Sequence, residues 1–303
     1  MHKFTLPAVD AIAARDGCKT ALDTYVVGDM AQTVALFETV NKARPARKEQ
    51  GDAWRGGMSF DDSLRCVREG NPAIVARSDE FLSRFEALHL VSRRWRTVAA
   101  VAGGVPCVPA ALAGHPLAMR QRQRVSSDQA PLAIIVDIAS SGGIDSADLE
   151  KRGAAILALV RLLSAARPVS LYVGVSVTSG HLRDERRHDA CHIFTRMDTA
   201  PLDLARAAHM LCHTSTARSL YYGAAYEVTG SPLDAHNLHW PYRGGQDAIR
   251  THAHAILARG IPDAAASLYI GAAHVDDAAI RNPAVWLETM LKEHGGAPVQ
   301  EAA

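Results

Sequence analysis

The sequence holds no pair of cysteines at Cys-x-x-Cys spacing and no apolar run near the roughly 18 residues of a membrane span. Its five cysteines, Cys18, Cys66, Cys107, Cys191 and Cys212, are odd in number and scattered, which fits reduced thiols better than a secreted disulfide framework. Charge of one sign is missing too. The 33 basic side chains face 32 acidic ones, so no global field recruits nucleic acid or an anionic membrane, and any such partner must be held by local clusters. Met1-His2-Lys3-Phe4 is followed by no hydrophobic core of a signal peptide, and the expected location is cytoplasmic, without a membrane partner. There is no Walker or dinucleotide glycine fingerprint, no Gly-x-Ser-x-Gly elbow and no internal repeat. What is there is an ordinary globular composition, 48% hydrophobic and 21% charged over 303 residues, enough for a sizeable core.

Residues 1–100 are expected to form a helical N-terminal region. Its clearest helix starts at the capping Ser59, with Asp61 and Asp62 in the first turn and a stop at Gly70-Asn71-Pro72. A second follows from about Pro72 to Ala87. Residues 101–130 are rich in glycine and proline and read as a connection. The period then changes. Pro131 to Ile138 is a nearly continuous apolar run, as expected of a strand buried on both faces; Ser146 to Ala166 is a strong helix; Val169 to Val177 is a second buried strand. Strand, helix and strand make a right-handed parallel crossover, the two strands being neighbours or nearly so. Residues 190–195 suggest a shorter edge strand, Leu202 to about Leu220 a helix, Gln246 to Arg259 another, Ser267 to Gly271 a strand, and Asn282-Pro283 the start of a last helix ending near His294. The fold class is therefore α/β, with an α/β domain over 131–294 and a loose tail over 295–303.

In such sheets ligands lie beyond the carboxyl ends of the strands, here at Asp137 to Asp145. Asp137-Ile138-Ala139-Ser140-Ser141 resembles the Asp-x-Ser-x-Ser metal-ion-dependent adhesion site of von Willebrand factor A domains. That resemblance implies a three-layer, Rossmann-like, mostly parallel sheet. It also implies Mg²⁺ or Ca²⁺ held by Asp137 through water and by serine hydroxyls, here Ser140 and Ser141, with a threonine and a second aspartate from later loops. Ala139 replaces the first serine, so the site is degenerate. Among the later residues Thr178, Thr214, Thr216, Asp234 and Asp276 are candidates. The alternative is that Asp137 caps the following turn and the two serines satisfy loop amides. Trp54 to Ser59, the Val105-to-Met119 stretch, Lys151 to Ile156 and Asn282 to Trp286 further resemble an uncharacterised family of tailed-bacteriophage proteins, which implies a phage-encoded chain in the host cytoplasm.

On the expected helix His209, Cys212 and His213 stand at i, i+3 and i+4, a spacing able to chelate zinc with a fourth ligand such as His181, His188, Cys191 or His192. Met210 occupies the place of a metalloprotease glutamate, so this is not a zincin motif. Two arginine clusters, Arg93-Arg94-Trp95-Arg96 and Arg120-Gln121-Arg122-Gln123-Arg124, could grip phosphates, and the second puts three guanidinium groups on one side if it is extended. The expected function is a non-enzymatic binding or assembly protein engaging a protein partner through the loop edge around Asp137. The alternative is a metal-dependent enzyme or nucleic-acid-acting factor using these arginines and the histidine-rich loops at His236, His239, His252 and His254.

Overall fold

The computed structural model describes residues 1–7, 22–43, 53–76, 79, 95–124, 131–178, 189–199, 201–229, 240–241 and 266–295. Its centre is the expected crossover: β6 (Leu132–Asp137), α4 (Ser146–Ala166) and β7 (Val169–Thr178), with β6 and β7 adjacent and parallel, Leu132 facing Val169 and Asp137 facing Gly174. Every residue of β6 is buried, which is why its sequence shows no alternation. α4 is capped by Asp145, which accepts from Asp148 N at 2.8 Å, one residue earlier than the expected cap Ser146.

Four further strands complete the order β1 (His2–Pro7), β2 (Leu22–Asp29), β8 (Asp189–Met197), β7, β6, β10 (Ala266–Ile270), and the short β9 (Trp240–Pro241) pairs with the far end of β7. The sheet is mixed. β2 with β8, β6 with β7 and β6 with β10 are parallel, while β1 with β2, β7 with β8 and β7 with β9 are antiparallel.

Two expectations are corrected here. Residues 190–195 are not an edge strand: β8 lies between β7 and β2, because the N-terminal strands pair along its outer side. For the same reason the N-terminal region is not a helical appendage. Tyr25, Val26 and Val27 of β2 are buried in the sheet, and α1 (Met30–Ala43) lies on it with Phe37 and Val40 in the core. Short strands holding polar residues such as Asp23 and Thr24 look like loop when their parallel partner is 167 residues away. The helix expected at Ser59 is present as α2 (Phe60–Glu69), Ser59 accepting from Asp62 N at 3.1 Å and Gly70 closing it at φ +91°. Of the next expected helix residues 72–76 and 79 are helical, and the remainder lies outside the described residues.

The expected connection is itself structured over residues 101–124. β3 (Trp95–Ala100), β4 (Val105–Pro106), α3 (Val108–Leu112) and β5 (Met119–Arg124) form a separate three-stranded antiparallel sheet, β3 to β5 to β4. The segment carrying Arg120, Arg122 and Arg124 is extended, as the ladder requires.

The helices α5 (Leu204–Cys212), α6 (Tyr222–Thr229), α7 (Ala278–Arg281) and α8 (Pro283–His294) complete the description. Asn282 caps α8, accepting from Val285 N. Side chains from α1, α2, α4, α5, α6 and α8 join one core with alternate strand residues such as Ile134, Leu171, Val173 and Ile193. The other sheet face carries a second cluster, Phe4, Tyr25, Val27, Ile135, Tyr172 and Phe194 among them. Among the described residues no helix is long and apolar enough to cross a membrane. The Gln246-to-Arg259 helix, the loops holding His181, His188, Asp234, His236, His239, His252 and His254, Arg93, Arg94 and the tail beyond 295 lie outside the described residues.

Candidate functional site

β6 delivers Asp137 to the carboxyl edge of the three parallel strands, fully buried. Its carboxylate is already engaged. Oδ1 accepts from Ala139 N at 2.9 Å, closing the turn as the capping alternative supposed, and Oδ2 accepts from the Tyr269 hydroxyl at 3.1 Å. Burial pushes the Asp137 carboxyl up to about 6, against the backbone hydrogen bonds of Ala139 and Ser176 and the charge of Arg152, which pull it down.

Two buried arginines hold the loop that follows. Arg218 donates through Nη2 to Ser140 Oγ at 3.1 Å and to the carbonyls of Ser141 at 3.3 Å and Ile144 at 3.0 Å. Arg152, on the first turns of α4, donates to Asp277 Oδ2 at 2.7 Å, to the Gly271 carbonyl and to Asp137 O. These contacts draw the later loops onto the motif, and Ser141 N and Ala273 O close the gap at 3.1 Å. The residues do not suit a small hard cation. Ala139 offers no side-chain oxygen and its carbonyl accepts from Ala273 N, a guanidinium occupies Ser140 Oγ, and both Asp137 carboxylate oxygens are taken; an ion of this class wants six or more oxygen ligands. Asp277 is tied to the motif through Arg152, while the carboxylate of the expected Asp276 pairs with Arg281.

Arg218 reaches the loop because the chain departs from α-helix. Leu202 to Leu220 is not the single helix that spacing suggests. α5 stops at Cys212, His213 is extended at φ −90°, ψ 125°, and Thr216–Tyr221 winds as a π-helix in which Tyr222 N donates to Ala217 O. The helical spacing itself persists, His213 N donating to His209 O at 3.1 Å, but both imidazoles are engaged by serine hydroxyls. His209 and His213 stack with ring centroids 5.1 Å apart, Cys212 is buried with its thiol pushed up by desolvation, and among the described residues no three His, Cys, Asp or Glu side chains could hold a metal. Cys191 and His192 belong to β8.

The break instead builds a hydroxyl–imidazole cluster. Ser215 Oγ lies 2.6 Å from His213 Nδ1 and 2.7 Å from Ser63 Oγ, and Ser63 Oγ lies 3.3 Å from His209 Nε2. Desolvation, with the neighbouring His213 second, drives the His209 imidazole down to about 3, and burial lowers His213 as well. The Trp54-to-Ser59 segment closes over this cluster. Gly56 has φ +74°, and a Cβ there would stand 2.5 Å from Thr214 Oγ1, so only glycine permits the approach. A shallow recess lies alongside, lined by Ile138, Arg152, Leu211, His213 and Thr214 among others.

On the other face of the same sheet edge a polar row crosses three strands. Ser176 of β7 faces His192 of β8 in register, with Oγ 3.0 Å from Nδ1, and His192 Nε2 stands 4.0 Å from Asp23 Oδ2 of β2. All three are fully buried, and His192 stacks on Tyr25 at 4.5 Å. Sequence reasoning missed this row, Tyr269 and Arg218. The usable signal for Arg218 was a lone cation in the apolar stretch from Ala207 to Tyr226.

Fold and site define an α/β protein in which the buried strand β6 ends in an aspartate–serine loop braced by internal arginines. The chain belongs to the family described as Domain of unknown function (DUF7192), whose model matches residues 15–295. No curated protein matches it, and no solved structure does.

Proposed function

We propose that the chain is a non-enzymatic binding or assembly protein of von Willebrand A-like, three-layer architecture, phage-encoded and acting in the host cytoplasm. In this reading it engages a protein partner through the loop edge around Asp137 and needs no divalent cation to do so. The observation that carries the reading is the Arg218 guanidinium on Ser140 Oγ and the Ser141 and Ile144 carbonyls. It fixes from inside the loop that a bound cation would otherwise organise. The convergence of the 213–217 and 271–277 segments on that loop supports the resemblance, and the exposed Gly142, Gly143, His274 and Val275 at its rim supply surface for a partner. The sequence runs resembling tailed-bacteriophage proteins support the origin.

Titration calorimetry tests the cation. Mg²⁺ and Ca²⁺ are expected to bind no tighter than about 1 mM, the weak end of oxygen-ligand sites. Micromolar binding lost in Asp137→Ala overturns the reading. A partner held by the immobilised chain is expected to stay bound in EDTA, and retention that requires Mg²⁺ counts equally against it.

A further inference from the structure

A single nitrogen ties the end of α5 to the π-helix. His213 Nδ1 accepts from Ser215 N at 3.2 Å, and because that donor is a backbone N–H, Nδ1 is bare and the neutral ring carries its hydrogen on Nε2. Ser215 Oγ, 2.6 Å away, therefore donates to the same nitrogen. The Ser215 oxygen then receives the Ser63 hydroxyl at 2.7 Å, and Ser63 Oγ receives the His209 Nε2 hydrogen at 3.3 Å. The far end fixes the same direction, since a hydrogen on the buried His209 Nδ1 would meet no acceptor among the described residues. Ser215 stands at the N-cap of the π-helix without capping it, its hydroxyl being committed to His213.

A second proton on His213 turns this acceptor into a donor that points at the Ser215 N–H. Two donors face to face share no bond, and a buried donor without a partner is costly. The surroundings do not compensate. The His209 imidazole stacks on the ring from α5, Arg152 of α4 and Cys212 line the adjoining recess, and Arg55 stands half-buried on the Ala53–Arg55 turn packed against α4 and the π-helix. α2 presents the neutral Ser63, its Asp62 pairing with Arg65 and its Arg68 with Glu38. Glu150 of α4 acts on the Cys212 thiol, whereas what lowers His213 is burial alone. What hangs on the nitrogen is Arg218. It lies just beyond Ser215 in a π-helix, a rare turn that concentrates at functional sites, and it holds Ser140 Oγ and the Ser141 and Ile144 carbonyls.

We propose that His213 is an acid-released latch: when its ring takes up a second proton Ser215 is freed, the turn Thr216–Tyr221 loses its register, and Arg218 leaves the Ser140-to-Ile144 loop. The latched form prefers the neutral ring, burial holding His213 below its ordinary 6.5, so the latch is shut above about pH 6.5 and opens as pH falls. His209 is driven further down and charges later. That the latch regulates a partner rests on the binding role given above to the loop edge; the latch itself does not.

Hydrogen exchange of the full chain, read by mass spectrometry from about pH 7.5 to about pH 5 and corrected for the intrinsic rate, tests it. Amides of 213–221 and 139–145 are expected to lose protection together, about tenfold per pH unit below the transition for one proton, while strands 132–137 and 169–177 keep theirs. His213→Asn places an amide oxygen near the Nδ1 position and cannot charge, so both segments are expected to stay protected in acid. Acid loss in His213→Asn equal to that of the wild type overturns the latch and moves the trigger to Asp137 or His209. Opening of 213–221 with 139–145 unchanged overturns it too, as does loss of the two strands in step with the segments. Imidazole nitrogen shifts of the wild-type chain give a reading that needs no variant: a bare His213 Nδ1 is expected at about pH 7.5, and a protonated one there overturns the latch. Should the segments open in acid while a partner's retention on the immobilised chain is unchanged, the loop-edge reading fails and the latch stands.

Discussion

The Tyr269 hydroxyl, on a half-buried side chain, donates to Oδ2 of the fully buried Asp137 at 3.1 Å, joining β10 to the last residue of β6. The pair sets a pH dependence. The Asp137 carboxyl is raised from 3.8 to about 6 in the folded protein, first by desolvation, so between those values the folded state holds a proton that the unfolded state has released. Its contribution to stability is therefore largest below about pH 4 and is lost as pH rises to about 6, amounting to about 3 kcal/mol at 1.36 kcal/mol per unit. Asp137→Asn should remove this slope. Chemical denaturation of both proteins from pH 4 to 7 measures it, and a difference between them that does not change with pH contradicts it.

His209 acts in the opposite direction. Its imidazole is lowered from 6.5 to about 3 by desolvation and then by His213, so the unfolded chain takes up a proton that the folded one refuses. Stability from this group is complete above about 6.5 and is lost as pH falls toward 3. His209→Gln is expected to flatten the acid limb of the denaturation profile, and an unchanged limb would place the acid sensitivity elsewhere.

Arg218→Met would keep much of the side-chain volume and remove the guanidinium from Ser140 Oγ and the Ser141 and Ile144 carbonyls. Leaving buried acceptors unpaired costs about 1–3 kcal/mol each where water cannot enter. A loss of at least about 3 kcal/mol in urea unfolding is expected, with slower cleavage at Gly142-Gly143 in the wild type than in the variant under limited proteolysis. Wild-type stability in the variant contradicts the bracing role.

Gly153→Ala pits propensity against packing. Alanine gains about 1 kcal/mol in a helix interior. Here its Cβ would stand 2.4 Å from Leu211 O and 2.5 Å from Cys212 Cα, backbone atoms of α5 that cannot turn aside. The variant should be destabilised by about 1–3 kcal/mol, as overpacked sites are. A more stable variant would mean that α4 and α5 separate easily.

Much of the centre was legible in the residues. A strand buried on both faces writes itself as an unbroken apolar run, so Leu132 to Asp137 and Val169 to Val177 announce their parallel pairing and place Asp137 at the carboxyl edge, and the Ser59 and Asn282 caps mark two helix starts. These are local patterns, fixed by period and by the unmet amides of a helix's first turn. Whether β8 is an edge or an interior strand was not local, since it depends on pairing with β2 from the far end of the chain. Nor was the π-helical turn that swings Arg218 onto Ser140, 78 residues away, or the meeting of Ser176, His192 and Asp23 from three strands. In a low-dielectric interior a polar group is held only by the partners that tertiary packing brings to it. The aspartate–serine motif is written in the chain, and what its oxygens bind is decided by residues that no spacing rule connects to it.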